Sequence, residues 1–155
     1  MRGGKHALVS RLVTVAAVAT VGLVGAAAPA AAADDGFAVT TKTPSLCEDR
    51  DLIAGYLQFI DYGPGAPGGG NNDDYLSLED WCADGDGVKG WAWLNGILLG
   101  ERYNGNGTDA AVLWDPFPPS TVRARDVVGL KVCSVNGPNG TPYNCQSAEI
   151  ISLDG

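Results

Sequence analysis

A β-hairpin is written into residues 88–103. Val88-Lys89-Gly90-Trp91-Ala92-Trp93-Leu94 and Ile97-Leu98-Leu99-Gly100-Glu101-Arg102-Tyr103 are strand-like runs joined by Asn95-Gly96. Asn-Gly tolerates the positive φ angles of a two-residue hairpin turn, and a two-residue turn sets the register. Leu94 then faces Ile97, Trp93 faces Leu98, Ala92 faces Leu99 and Trp91 faces Gly100. One face carries Val88, Ala92, Leu94, Ile97, Leu99 and Tyr103, a core face. The other carries Lys89, Trp91, Trp93, Leu98 and Arg102. Two tryptophans flanked by two cations are unusual for a solvent face. Lys89, Trp91, Trp93 and Arg102 are therefore the candidate partner-binding residues. The competing reading covers this face with a second sheet or the N-terminal third, with Trp91 shielding Gly100.

The rest of the chain shows strand-like runs between turn signals. Phe37–Thr43 has β-branched character and stops at Pro44. Residues 45–60 fit two descriptions. Ser45 and Glu48 match a capping box, and Leu46, Ile53, Leu57 and Ile60 recur at helical spacing. Ile53, Leu57 and Phe59 also fit one strand face, and Gly55 weakens a helix, so a strand over 53–60 is the preferred reading. A Gly/Pro/Asn loop at 63–72 contains nothing that packs. Ala110–Trp114 reads as a strand, with Trp114 in the core. Asp115–Pro119, with Phe117, reads as a rigid projecting turn, and Thr121–Ala124 as a short edge strand. Val127–Val135 is valine-rich, as a two-sided buried strand would be. Tyr143–Leu153 is the last strand. Turn signals at roughly ten-residue spacing predict an all-β fold, a small antiparallel β-sandwich.

The N-terminus has the layout of an export signal. Arg2, Lys5 and Arg11 precede the apolar run Leu12–Val24, and Ala31-Ala32-Ala33 offers small residues for cleavage. Residues 1–33 are thus expected to be a signal peptide, and 34–155 a single secreted domain. A retained membrane anchor is the rival, but Pro29 and the alanines dilute the run. All 18 acidic residues follow Ala33, against seven of the ten basic ones, for a formal charge of −11. Such a surface repels phosphate backbones and anionic lipids, so nucleic acid and membrane are poor partners.

Four cysteines, Cys47, Cys82, Cys133 and Cys145, all follow the signal. Outside the cell they are expected to pair, and three connectivities exist. A hairpin centred on Asn139 sets Cys133 opposite Cys145, which favours Cys133–Cys145 with Cys47–Cys82. A tryptophan beside a cysteine, Trp81, is expected to pack against the bridge. A zinc site is disfavoured, because Cys-x-x-Cys is missing and the one histidine, His6, leaves with the signal.

The available chemistry points away from catalysis. Without histidine after residue 33, Ser-His-Asp and Cys-His activation are missing. No glycine-rich loop sits between a strand and a helix to cradle phosphate. Asp80, Asp84 and Asp86 invite a calcium reading, but Val88 and Asn95 stand where an EF-hand loop starting at Asp84 needs ligands. The expectation is a protein with no enzymatic activity, metal or cofactor. Asn106-Gly107-Thr108 and Asn139-Gly140-Thr141 match the glycosylation sequon, but in glycine-rich turns that is read as coincidence.

Residues 78–146 also resemble a family of small secreted β proteins of filamentous soil bacteria. The residues that carry the likeness are Leu78-Glu79-Asp80-Trp81-Cys82-Ala83-Asp84-Gly85, Gly87-Val88-Lys89-Gly90-Trp91-Ala92-Trp93, Arg102-Tyr103-Asn104-Gly105-Asn106-Gly107 and Gly129-Leu130-Lys131-Val132-Cys133. Size and layout are similar to the adaptor subunit of umbrella toxin particles, which joins a lectin subunit to a large toxin subunit. The resemblance implies a non-enzymatic, extracellular protein-binding module, an adaptor within an antibacterial toxin complex. It carries no catalytic motif. Two alternatives fit a chain of this kind: an inhibitor of an extracellular hydrolase, and a free carbohydrate-binding module, which the paired tryptophans suit.

Overall fold

A computed structural model describes residues 35–42, 53–61, 74–117 and 122–153. The expected signal peptide, the expected loop at 63–72, Cys47 and the capping-box candidates Ser45 and Glu48 lie outside them. Eight strands run in order: β1 (Phe37–Lys42), β2 (Ile53–Ile60), β3 (Tyr75–Asp80), β4 (Gly87–Leu94), β5 (Ile97–Asn104), β6 (Val112–Trp114), β7 (Val127–Val135) and β8 (Tyr143–Ile151). A 3-10 turn at Gly107–Asp109 is the one helical element among the described residues. Two four-stranded antiparallel sheets form, ordered β1-β2-β3-β6 and β5-β4-β7-β8. The chain builds three strands of the first sheet, crosses for the β4–β5 hairpin, returns for β6 and crosses again for β7–β8.

The two sheets bury a shared core. Leu57 and Phe59 of β2, Leu76 and Leu78 of β3, Val128 and Val132 of β7 and Ala92 of β4 are fully buried. Each large side chain removed from water contributes roughly 1.5–3 kcal/mol. The strand period of two puts Leu57 and Phe59 on the same side, so the strand reading of 53–60 holds and the helical spacing does not. The sheets approach closely at Gly55, where an added Cβ would stand 2.5 Å from Cγ1 of Val88. No side chain larger than hydrogen fits there without displacing β4.

Several expectations change. Tyr75–Asp80, to which the pattern gives no element, forms β3, a central strand of the first sheet. Residues 122–124 are not a strand. Val122 is buried instead, its amide donating to Asp74 Oδ2 at 2.7 Å. Phe117 does not project. It is 5% exposed and meets the ring of Phe59 edge-on at 5.5 Å, because its amide bonds back to Asp115 Oδ1 and turns the side chain inward. Trp114 lies in the core as expected. Trp81 stacks on Tyr56, ring centroids 4.9 Å apart, and donates its indole N–H to Glu79 at 2.7 Å.

The Cys133–Cys145 disulfide is formed. Val132 pairs with Gln146, the register of a hairpin centred on Asn139, but Ser134 pairs with Tyr143. One residue of β8 is therefore extra beside Cys133, and Asn144 takes it up with a φ of 49°. The Thr41 hydroxyl donates to the Asn144 carbonyl and ties β1 to this bulge. Cys82 is buried and is not a free thiol, and its expected partner Cys47 lies outside the described residues.

Candidate functional site: the outer face of the second sheet

Strand pairing lays the outer face of β5-β4-β7-β8 out as a grid. One row reads Leu98, Trp93, Gly129, Glu149. The next reads Glu101, Trp91, Lys131, Ser147. The third starts Tyr103, Lys89, Cys133. Lys89, Trp91 and Trp93 thus share one face, as the alternation of β4 requires.

Arg102 does not join them. Leu94 pairs with Ile97 and Trp93 with Leu98, as the turn demands, but Ala92 pairs with Gly100 rather than Leu99. A bulge absorbs Leu99, and every later residue of β5 changes face. Arg102 turns to the inner side, its guanidinium 5.1 Å from the centre of the Trp114 ring. Tyr103 makes the opposite move, from the expected core face to the outer face beside Lys89. Glu101 takes the place expected for Gly100, opposite Trp91.

The two tryptophans differ in what surrounds them. Lys89 Nζ lies 5.7 Å and Lys131 Nζ 5.2 Å from the Trp91 ring centre. Lys89 also pairs with Glu101 at 2.6 Å, and that hydrogen bond holds the Glu101 carboxyl below its usual range. Trp91 is therefore engaged within the chain by cations that its ring attracts electrostatically. Trp93 sits at one wall of an open depression of about 540 Å³, with Gly129, Lys131, Ser147 and Glu149 around it. Of these, Lys131, Ser147 and Glu149 are missed when the hairpin is read alone. The strands that carry them were legible as Val127–Val135 and Tyr143–Leu153, but their faces and the placing of β7 beside β4 were not.

Beside Trp93 the hairpin presents apolar surface. Leu98, opposite Trp93, is 53% exposed, and at the tip Ile97, on the other face opposite Leu94, is 69% exposed. The turn beneath them is held rigidly. Asn95, at φ 51°, donates its backbone amide to the Val127 carbonyl at 2.8 Å and its Nδ2 to Asp126 Oδ1 at 2.8 Å. Its Oδ1 accepts the Val127 amide at 2.9 Å. The Asn95 bond, with help from the Arg123 amide, holds the Asp126 carboxyl below the usual carboxylate range. An exposed apolar tip on a locked turn loses little entropy on docking.

A second polar feature lies on the first sheet. Asp80 is 2% exposed, and its Oδ1 accepts the Cys82 amide at 3.1 Å while Oδ2 finds no hydrogen-bond partner. Burial pushes the Asp80 carboxyl up to about 6, against the opposing pull of the Cys82 amide. Glu79, Asp80, Trp81 and Thr108 border a polar pocket of about 230 Å³. Asp84 and Asp86 serve the neighbouring turn: Asp84 accepts the Asp86 amide at 2.9 Å, and Asp86 accepts the Tyr143 hydroxyl. Among the described residues, no three His, Cys, Asp or Glu side chains converge on a metal position. Comparison with family models, with curated proteins and with solved structures gives no match.

Proposed function

We propose that the chain is a secreted, non-enzymatic protein-binding module that serves as an adaptor in an extracellular antibacterial toxin complex. The observation that supports binding is the locked hairpin tip, where Leu98 stands exposed beside Trp93 and Ile97 stands exposed on the opposite face, over a turn tied to β7. Exposed apolar groups on a rigid frame, rimmed by Lys131 and Glu149, have the anatomy of a protein interface with an apolar centre and a polar border. The adaptor role rests on the resemblance over residues 78–146, and on the chain's size. Purification from native culture tests it. An adaptor co-purifies with a large polypeptide and a lectin-like subunit. Recovery with a hydrolase instead points to the inhibitor reading, and recovery of the chain alone contradicts the adaptor.

A further inference from the structure

The depression beside Trp93 has a composition that the hairpin tip lacks. We infer that it is a saccharide-binding trench, with Trp93 as its stacking wall and Glu149 as its hydrogen-bonding wall. This goes beyond protein docking and does not depend on it.

The trench exists because Gly129 is its floor. Gly129 lies between Trp93 on β4 and Glu149 on β8. A Cβ at Gly129 would stand 3.4 Å from Glu149 Cγ and 3.5 Å from both Glu149 Oε1 and Trp93 Cβ. Both walls thus close directly on the glycine. Adjacent strands are about 4.8 Å apart, so walls one strand to either side stand roughly 10 Å apart at their bases.

The hydrogen-bonding inventory selects the ligand class. β7 is paired on both sides, so its backbone amides and carbonyls are taken up in the ladders. A peptide laid over this floor would find no strand edge to pair with, since the outer edge of β8 points away from β7 in the plane of the sheet. Only side chains remain: the Glu149 carboxylate accepts, the Ser147 hydroxyl does both, and the Lys131 ammonium donates. A polyanion is disfavoured by the acidic surface. A pyranose has an apolar ring face for the indole and an edge of hydroxyls that both donate and accept. It matches the trench on both walls.

The test uses the protein purified from culture medium with its disulfides intact. It is incubated with crystalline chitin, crystalline cellulose, insoluble xylan and peptidoglycan sacculi, and retention is measured as a binding isotherm. At least one of these retains the wild-type protein. Trp93→Ala and Glu149→Ala each weaken that retention at least about tenfold, and Gly129→Val, which fills the floor without touching either wall's chemistry, does the same. Leu113→Asp, exposed on β6 of the other sheet, leaves it unchanged. Glu149 is exposed, so its variant also reports if Trp93→Ala fails to fold. Failure of all four polysaccharides to retain the protein overturns the inference, and so does retention that survives both Glu149→Ala and Gly129→Val. Either result leaves the protein-docking reading standing, because that reading is judged by Leu98 and a polypeptide partner.

Discussion

Ala92 stands opposite Gly100, one residue further along β5 than a regular two-residue hairpin places it. This one-residue shift decides the make-up of the outer face. It carries Arg102 inward over Trp114 and brings Glu101 outward to pair with Lys89. Gly100 makes the shift possible, since its φ of 149° is a conformation that residues with a side chain rarely adopt. A Cβ there has room, 3.6 Å from the Trp114 ring, so the penalty is in the backbone. Gly100→Ala is expected to cost about 1–3 kcal/mol of stability in urea denaturation. Unchanged stability would show that the bulge does not need the glycine.

The clamp on the hairpin turn gives a second prediction. Asn95→Gly keeps the positive φ and the backbone bond to Val127 but removes the two side-chain bonds, to Asp126 and to the Val127 amide. It is expected to lower stability by about 1–3 kcal/mol, at roughly 0.5–1.5 kcal/mol per hydrogen bond. Asn95→Ala adds the penalty of a left-handed alanine, about 1–2 kcal/mol more. Thermal or urea melts of the two variants separate the side-chain and backbone contributions. Equal stabilities would mean that the turn relaxes to negative φ.

Much of this architecture was legible in the residues. The Asn-Gly turn, the strand character of 53–60, the hairpin centred on Asn139 and the sandwich class all follow from turn chemistry and a period of two. The bulges at Leu99 and Asn144 were not legible, because one inserted residue leaves the local pattern intact while reversing everything beyond it. β3 was missed because Ser77, Glu79 and Asp80 dilute a six-residue strand whose burial depends on neighbours distant in sequence. The trench shows the same limit. Trp93 is conspicuous in the chain, but Gly129 and Glu149 become its neighbours only once β7 is known to lie between β4 and β8.

Asp80 predicts an unusual dependence on pH. Burial raises its carboxyl to about 6 in the folded protein, against 3.8 for an unburied aspartate, so folding favours the protonated form. The stability it contributes is fully present below about pH 4 and is lost as pH rises through about 6. The loss is on the order of 1–3 kcal/mol, since each tenfold change in proton affinity is worth about 1.4 kcal/mol. Asp80→Asn keeps an oxygen to accept the Cys82 amide and removes the charge. Melting temperatures at pH 4 and pH 7 should differ less in this variant than in the wild type. An identical pH profile in both would contradict the assignment.

The Cys133–Cys145 bridge spans 12 residues and closes the β7–β8 hairpin. Replacing both cysteines by serine is expected to lower stability by up to about 3 kcal/mol, by the loop-entropy account. Urea denaturation of the double variant measures it. A loss well above that figure would mean that the bridge also holds native packing at the outer face, where Cys133 is fully buried.

Leu98 is the most direct test of the docking reading. It is exposed, lies on an edge strand and faces Trp93 across the hairpin. A charge there disturbs no core, so folding should survive. The measurement is the dissociation constant of the co-purifying polypeptide for wild type and for Leu98→Asp, with melting temperatures taken in parallel. The expected result is at least about tenfold weaker binding, roughly 1.4 kcal/mol, with the melting temperature unchanged. Equal affinity in the two proteins would contradict the assignment of the hairpin tip as the binding surface.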